Sequence, residues 1–348
     1  MRHEACVIIS TQNNKLGTQI TTIFNRRRAI THRHTMEEAC KALKQARDEG
    51  CGLLVLTGAG MSVSSKVPVF RSADGSMSPE FLAFLKDYNV ARERHGLPQV
   101  EDWFQFSVPE MFQEETAKEA WAYWRWRIVR ARVEPGLDYL HLSRIMNAFC
   151  ISGTENSFII TSNCDGLHLQ RENNGVGVDE SRIQEIHGSL SRLQCSVPCC
   201  QDLWPVDAKF IDRLEKETDW VPMCPQCKTS CLRPNVMIFG DDALVCTVLH
   251  EQHRNKADFQ RRHPGGNWIV LEIGAGVVVA SIRYKAERLA SQGKGLVRIN
   301  PSQNECDEME TVQLEEDKYF PIVATSSQAL ERIADVLEAD EVPKSKEK

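Results

Sequence analysis

Apolar residues along this chain gather in brief runs, at 53–56, 158–161, 182–187, 236–239, 268–273 and 296–300, and helix-length amphipathic stretches separate several of them. Runs of that length bounded by turn residues read as buried strands. Their alternation with helical segments predicts an α/β fold built on a mostly parallel, doubly wound sheet. Ahead of the first strand, Thr35 and Glu38 form a capping-box pattern that opens a helix through about Glu49, closed by Gly50 and Gly52. Two further helices are expected at 79–88 and 110–132, the second carrying Trp121, Tyr123, Trp124 and Trp126 and forming a helical insertion.

Ligands of doubly wound sheets bind beyond the carboxyl ends of the strands, so the polar residues that follow each run are the candidates. They are GAG at 58–60, TSNCDGLH at 161–168, HGS at 187–189, FGD at 239–241, GAG at 274–276 and Asn300. Gly58 and Gly60 flank Ala59 where the first strand stops, an arrangement that lets backbone N–H groups approach a diphosphate closely. A dehydrogenase fingerprint would place a third glycine where Val63 stands, which disfavours hydride transfer. His187 taken by itself is more often a structural histidine than a base, since a near-neutral pKa suits both roles. Asn163 and Asp165 can be turn formers, or an acceptor pair for ribose hydroxyls and a carboxamide.

Charge and cysteine usage narrow the classes. A net charge of −6 without a long basic run leaves no electrostatic footprint for nucleic acid, and no apolar stretch approaches the roughly 20 residues that span a membrane. Thirteen cysteines without a secretory signal point to free thiols and a metal site in a reducing compartment. Cys195, Cys199 or Cys200, Cys224 and Cys227 have the spacing of a closed four-thiolate zinc site, with Cys231 as a substitute ligand. Residues 1–34 hold Arg26, Arg27, Arg28 and Arg33 and only Glu4 as an acid, a composition shared by mitochondrial presequences and by plain disordered extensions. An intracellular site is expected, in cytoplasm or nucleus, with the mitochondrion as the alternative. The charged tail, 339–348, reads as disordered.

The order and wording of the strand-end motifs resemble the sirtuins, the NAD-dependent protein deacylases, from about Met36 to Leu337. The resemblance rests on GAGMS with VPVFR at the family's spacing, NCDGLH, HGS, a cysteine eight residues after His187, and RPNVMIFGD at 233–241. It implies a Rossmann-like NAD-binding part over about 35–78, 135–190 and 233–338. The remainder would be a small part, helical over 79–134 and zinc-binding over 191–232. By the same resemblance His187 is the general base, and Asn163 and Asp165 serve the ribose and nicotinamide pocket. Gly58, Ala59, Gly60, Ser62, Phe70, Arg71, Ser162, Gly274, Ala275 and Asn300 would line the rest of the cofactor. Phe239 and Gly240 would meet an acylated-lysine protein or peptide. The implied reaction moves the acyl group onto ADP-ribose and releases nicotinamide, with one structural Zn(2+) far from the chemistry.

Four departures from the family accompany the match. Lys66 stands where glycine is usual, Val69 where many members carry Asp, Ser162 where Gln is usual, and GAG at 274–276 replaces Gly-Thr-Ser. Ser162 reaches a ribose only through a water. In the desuccinylase-like branch a Tyr and, three residues on, an Arg grip an acidic acyl chain; Trp124 and Arg127 fall at those places, although Trp lacks the phenolic hydroxyl and an aromatic helical stripe is more often core. Two other readings stay open, an NAD glycohydrolase or ADP-ribosyltransferase and a catalytically weak NAD-binding protein.

Overall fold

The computed structural model describes residues 35–69, 76–94, 96–150, 153–170 and 177–339. The expectations for the 1–34 extension, for Phe70 and Arg71, and for the tail from 340 onward lie outside the described residues. Helix α1 (Met36–Asp48) starts on the capping box, Glu38 N donating to Thr35 Oγ1 at 3.3 Å and Thr35 N to Glu38 Oε2 at 2.6 Å. Gly50, at φ 73°, turns the chain into the first strand.

The strands in chain order are β1 (Gly52–Thr57), β2 (Ser157–Thr161), β3 (Ile183–Glu185), β4 (Gly188–Cys195), β5 (Trp204–Pro205), β6 (Leu232–Val236), β7 (Trp268–Ile273), β8 (Leu296–Asn300) and β9 (Tyr319–Val323). Six of them form one sheet in the order β3-β2-β1-β7-β8-β9, parallel at every pairing. If the strands of the inserted small sheet are skipped, this is the 3-2-1-4-5-6 order of dinucleotide-binding sheets, whose switch point falls between β1 and β7. Both faces are covered, which is why the strands read as continuous apolar runs instead of alternating ones. Leu53 and Val55 pack with α1, α4 (Leu137–Ala148) and α9 (Ser326–Glu338) on one face, while Leu54 and Leu56 meet α6 (Thr247–Arg262) and α7 (Ser281–Gln292) on the other.

The run expected as a parallel strand at 236–239 is different in the structure. β6 ends at Val236 and pairs antiparallel with β4 in a separate three-stranded sheet, β5-β4-β6. This small sheet shares one apolar core with α2 (Pro79–Arg94), α3 (Ala117–Arg130) and α5 (Ala208–Lys216). The helix expected over 110–132 is shorter because Pro109–Phe112 closes as its own 3-10 turn and Gln113 is extended, with ψ 163°. β9 escaped the pattern because Pro321 interrupts it; a proline that cannot donate to a ladder is tolerated on an edge strand, and β9 is the edge. Among the described residues no helix is long and apolar enough to cross a membrane.

Beneath β7 and β8 lies a buried ionic cluster. Arg298 Nε is 2.7 Å from Glu272 Oε1 and its Nη2 is 3.0 Å from Glu287 Oε1, with all three side chains at most 1% exposed. Glu287 also accepts the N–H groups of Glu310 and Thr311, while Arg298 and Arg283 donate to Glu308 O. The cluster therefore fastens the chain after α8 (Gln303–Asp307) to the sheet. Removing one partner of such a pair leaves a buried charge uncompensated. Arg298→Met is expected to destabilise the fold by about 3–5 kcal/mol, read as a lower midpoint in urea unfolding; an unchanged midpoint would show that the cluster holds nothing.

Candidate active site

The site is built where β1 and β7 end side by side. Gly58 N donates to Ile273 O and Gly60 N to Gly274 O, both at 3.0 Å. A Cβ on Gly58 would lie 2.6 Å from Gly274 O, one on Gly60 2.6 Å from Gly274 Cα, and one on Gly274 2.5 Å from Gly60 Cα. The two GAG loops thus interlock backbone to backbone, and Gly274 adds a φ of 60°. The glycines were expected for close approach to a diphosphate. Their first duty is this loop-to-loop contact, and the N–H groups of Gly58 and Gly60 are engaged in it. Ala59, exposed between them, keeps its outward place, and Ala275 is buried.

The loop after β2 brings the polar residues under the first GAG. Asn163 Nδ2 donates to Gly58 O and to Ser62 Oγ, both at 3.0 Å. Ser62 Oγ donates to Asp165 Oδ2 at 2.6 Å and lies 2.8 Å from Tyr139 OH. Asp165 Oδ1 in turn accepts the Leu167 N–H at 3.0 Å. Burial pushes the Asp165 carboxyl up, while the bonds from Ser62 and Leu167 and the Arg127 charge hold it back. Ser62 is 2% exposed with a saturated hydroxyl, so it orients its neighbours and does not line an open cleft. Behind it, His168 Nε2 meets Thr57 Oγ1 at 2.9 Å, and Thr57 Oγ1 donates to Thr161 Oγ1 at 2.8 Å. Burial lowers His168 to about 3, so this ring is a neutral part of the scaffold.

His187 sits half-buried at the turn from β3 into β4. Gly188 must follow it, since at φ 78° any Cβ would fall 2.1 Å from Asn235 O on β6. Burial, and secondarily the charge of Lys285, lowers His187 to about 4; a hydrogen bond with the Ser162 backbone works the other way. The ring is therefore neutral at physiological pH and able to take a proton. Ser162 itself is tied by its N–H to Thr57 O at 3.1 Å. Asn300 is turned inward, its Nδ2 donating to Ala275 O and Glu305 Oε2 and its Oδ1 accepting Ser302 N.

The substrate-side residues divide. Phe239 is 39% exposed, its N–H bonded to Ser107 O and its ring 4.6 Å from Phe104, and Gly240 follows with φ 70°. Trp124 is not at a cleft. It is 4% exposed, donates Nε1 to Phe106 O and packs edge-on against Tyr123, because the small core takes this face of α3. Arg127, one turn on, donates to Pro68 O at 3.0 Å and its charge reaches Asp165 and Cys164, so of the expected pair the arginine alone borders the site. Tyr139 was missed from sequence, because it lies inside a helix with no strand-end signal.

Cys195, Cys199, Cys224 and Cys227 present four Sγ atoms all within 4.8 Å of one another. Zinc–sulfur bonds of about 2.3 Å in a tetrahedron place the sulfurs roughly 3.8 Å apart. The Cys195–Cys227 and Cys199–Cys224 separations of 3.9 and 3.7 Å fit a structural zinc ion. Cys200 lies outside the group of four, 3.8 Å from Cys199, and the Cys231 thiol is directed to Phe112 O.

A model of the Sir2 family matches residues 58–260. The chain belongs to the Sir2 family. Among curated relatives, the NAD-dependent protein deacylase of Thermus thermophilus is 29% identical over 208 residues, 59% of this chain and 64% of the relative. This chain thus spans less than two thirds of that relative's length. The NAD-dependent protein deacylase of Aeropyrum pernix is 25% identical over 265 residues, covering 75% of this chain and 85% of the relative. The NAD-dependent protein deacetylase of Chromobacterium violaceum is 30% identical over 221 residues, covering 63% and 73%. Two solved structures, Sir2 bound to acetylated peptide and Sir2Tm bound to a propionylated peptide, superpose with TM-scores of 0.53 and 0.54 at 19% and 20% identity; each comparison covers 86% of this chain and 98% of the other. They establish the sirtuin fold.

Lys66 adopts φ 60°, a left-handed conformation, in the turn that leaves the GAG loop, with its side chain exposed. That conformation disfavours a residue with a Cβ, and Lys66→Gly is expected to stabilise the protein by roughly 0.5–1 kcal/mol after the extra freedom of an unfolded glycine is subtracted. A thermal midpoint that falls in the variant would show that the lysine makes compensating contacts. For the cysteine cluster, elemental analysis should find one zinc per chain. Cys224→Ser should lose the zinc and melt earlier, whereas metal-free protein melting like wild type would mean four unliganded thiols.

Proposed function

We propose that this Sir2-family chain is an NAD-dependent protein lysine deacylase that releases nicotinamide and an O-acyl-ADP-ribose. The observation that carries the reading is a rigidly held Asn163–Asp165 acceptor set beneath the switch-point loops, together with a neutral histidine after β3 that hydrogen-bonds the backbone of the same post-β2 loop at Ser162. Both Nδ2 protons of Asn163 are engaged internally, so its carbonyl oxygen is the atom left for a ribose hydroxyl or a carboxamide N–H. NAD, as co-substrate, supplies the electrophilic ribose carbon. His187, neutral at the working pH, is the group that removes the proton of a ribose hydroxyl. Phe239 and Gly240 offer the edge along which an acyl-lysine peptide would lie. The curated relatives' names support this reading over a glycohydrolase or a silent NAD-binding protein.

Half of the Trp124–Arg127 pair is left beside the site. With Trp124 in the core, Arg127 alone of that pair would meet an acidic acyl chain. The cysteine-rich composition, with four of the thiols gathered as a metal quartet, supports an intracellular site for the enzyme.

Incubation with NAD and a panel of acetyl-, propionyl- and succinyl-lysine peptides, following nicotinamide, free-lysine peptide and acyl-ADP-ribose together, tests the proposal. Nicotinamide release that ignores the peptide would favour the glycohydrolase. His187→Ala should lower deacylation roughly 100-fold or more while the fold melts normally; full turnover by that variant would refute the assigned base. Because His187 titrates at about 4, protonation of the base should begin to reduce kcat/KM only as pH falls toward that value. A limb centred near the ordinary histidine value of about 6.5 would show that the ring is not desolvated in the working enzyme.

A further inference from the structure

Tyr139, in the first turn of α4, is 2% exposed and its hydroxyl lies 2.8 Å from Ser62 Oγ. The start of α4 is itself fixed, since the Asp138 carboxylate accepts the hydroxyls of Ser326 and Ser327 at the head of α9. The Tyr139 ring is held edge-on by His168, with centroids 4.9 Å apart. Burial keeps the phenol protonated, so it is a constant donor.

A serine hydroxyl has one proton and two lone pairs. Asn163 Nδ2 can only donate, which assigns one lone pair of Ser62; the Asp165 carboxylate takes the Ser62 proton. The remaining lone pair is filled by the Tyr139 O–H. With all three positions occupied, the Ser62 proton has one direction available, toward Asp165. Without the phenol, the hydroxyl can rotate among partners, and the Asn163 amide keeps Gly58 O but loses the second fixed acceptor that holds its plane.

We propose that Tyr139 is a positioning residue for the reaction: acting through Ser62, it holds Asn163 and Asp165 in the orientation that receives the ribose and nicotinamide end of NAD. It touches no substrate. The inference rests on the deacylase reading and adds a group that lies in a helix, away from the strand-end motifs.

The test uses Tyr139→Phe, Ser62→Ala and the double variant of the full chain, with NAD and ADP affinities measured by calorimetry beside kcat/KM for NAD. Phenylalanine keeps the ring and its packing on His168, so the fold should survive. Tyr139→Phe is expected to weaken NAD roughly fivefold, the scale of one net hydrogen bond, with kcat/KM falling in parallel. ADP, which lacks the nicotinamide end, should bind within about twofold of wild type, and Tyr139→Phe should add less than about twofold to Ser62→Ala. Three results would overturn the inference: equal loss of ADP and NAD, losses that multiply in the double variant, or a Tyr139→Phe protein indistinguishable from wild type. If unsubstituted protein binds no NAD, the deacylase reading falls and takes this inference with it; if it binds NAD and the variants bind alike, the inference alone falls.

Discussion

The contact on which the site depends is between two pieces of backbone. Gly58 and Gly60 at the end of β1 approach Gly274 at the end of β7 so closely that a Cβ at any of the three would overlap main-chain atoms. Parallel pairing of β1 with β7 up to Thr57 and Ile273 delivers the loops to the same height, and the hydrogen bonds from Gly58 N and Gly60 N then lock them. A side chain in this seam would push the two strand ends apart at the switch point, where a doubly wound sheet opens its crevice. The tight seam is what lets a polar shell sit directly beneath it.

That shell is stabilised by complete pairing. Buried polar groups are costly when unsatisfied, and a half-satisfied network is worse than an apolar core. Ser62 has every hydrogen-bonding position filled, and Thr57, Thr161 and His168 form a second tier behind it. The opposite face of the sheet carries full charges instead, where Glu287 gathers backbone N–H groups and an arginine at one point, while Arg283 Nε and Nη1 are matched by carboxylates only as ion pairs, without a hydrogen bond. The first network fastens the loops after β1 and β2, the second the segment between α8 and β9. In both, a group far along the chain reaches back to a loop that sequence proximity would not connect to it.

This explains which features were legible from the residues alone. β1, β2, β7 and β8 were readable because a strand buried on both faces must be a continuous apolar run. The cysteine quartet was readable because metal geometry imposes its own spacing. β4 was lost because Ser189, Ser191 and Gln194 break its apolar character, and 236–239 was misassigned because an apolar run carries no label for the sheet it joins. Trp124 drew a pocket role from the resemblance and a core role from its aromatic helical stripe, and packing decides for the small core. Tyr139 gave no signal at all, since a tyrosine inside a helix is ordinarily core.

The departures from the sirtuin pattern sort along the same division between what backbone packing requires and what a side chain supplies. Gly274 is retained where Gly-Thr-Ser is usual, as the seam with Gly60 demands, while the two hydroxyl-bearing places have become Ala275 and Gly276. Ala275 is 2% exposed, a position where a hydroxyl would require a partner, and the space around a Cβ at Gly276 is open within 4 Å. Neither change disturbs the interlock; both remove side-chain donors from the carboxyl end of β7. Lys66 is the reverse case, a side chain placed where the backbone conformation favours glycine. The scaffold of the switch point is therefore kept by steric necessity, and of these departures Lys66 alone touches a backbone conformation.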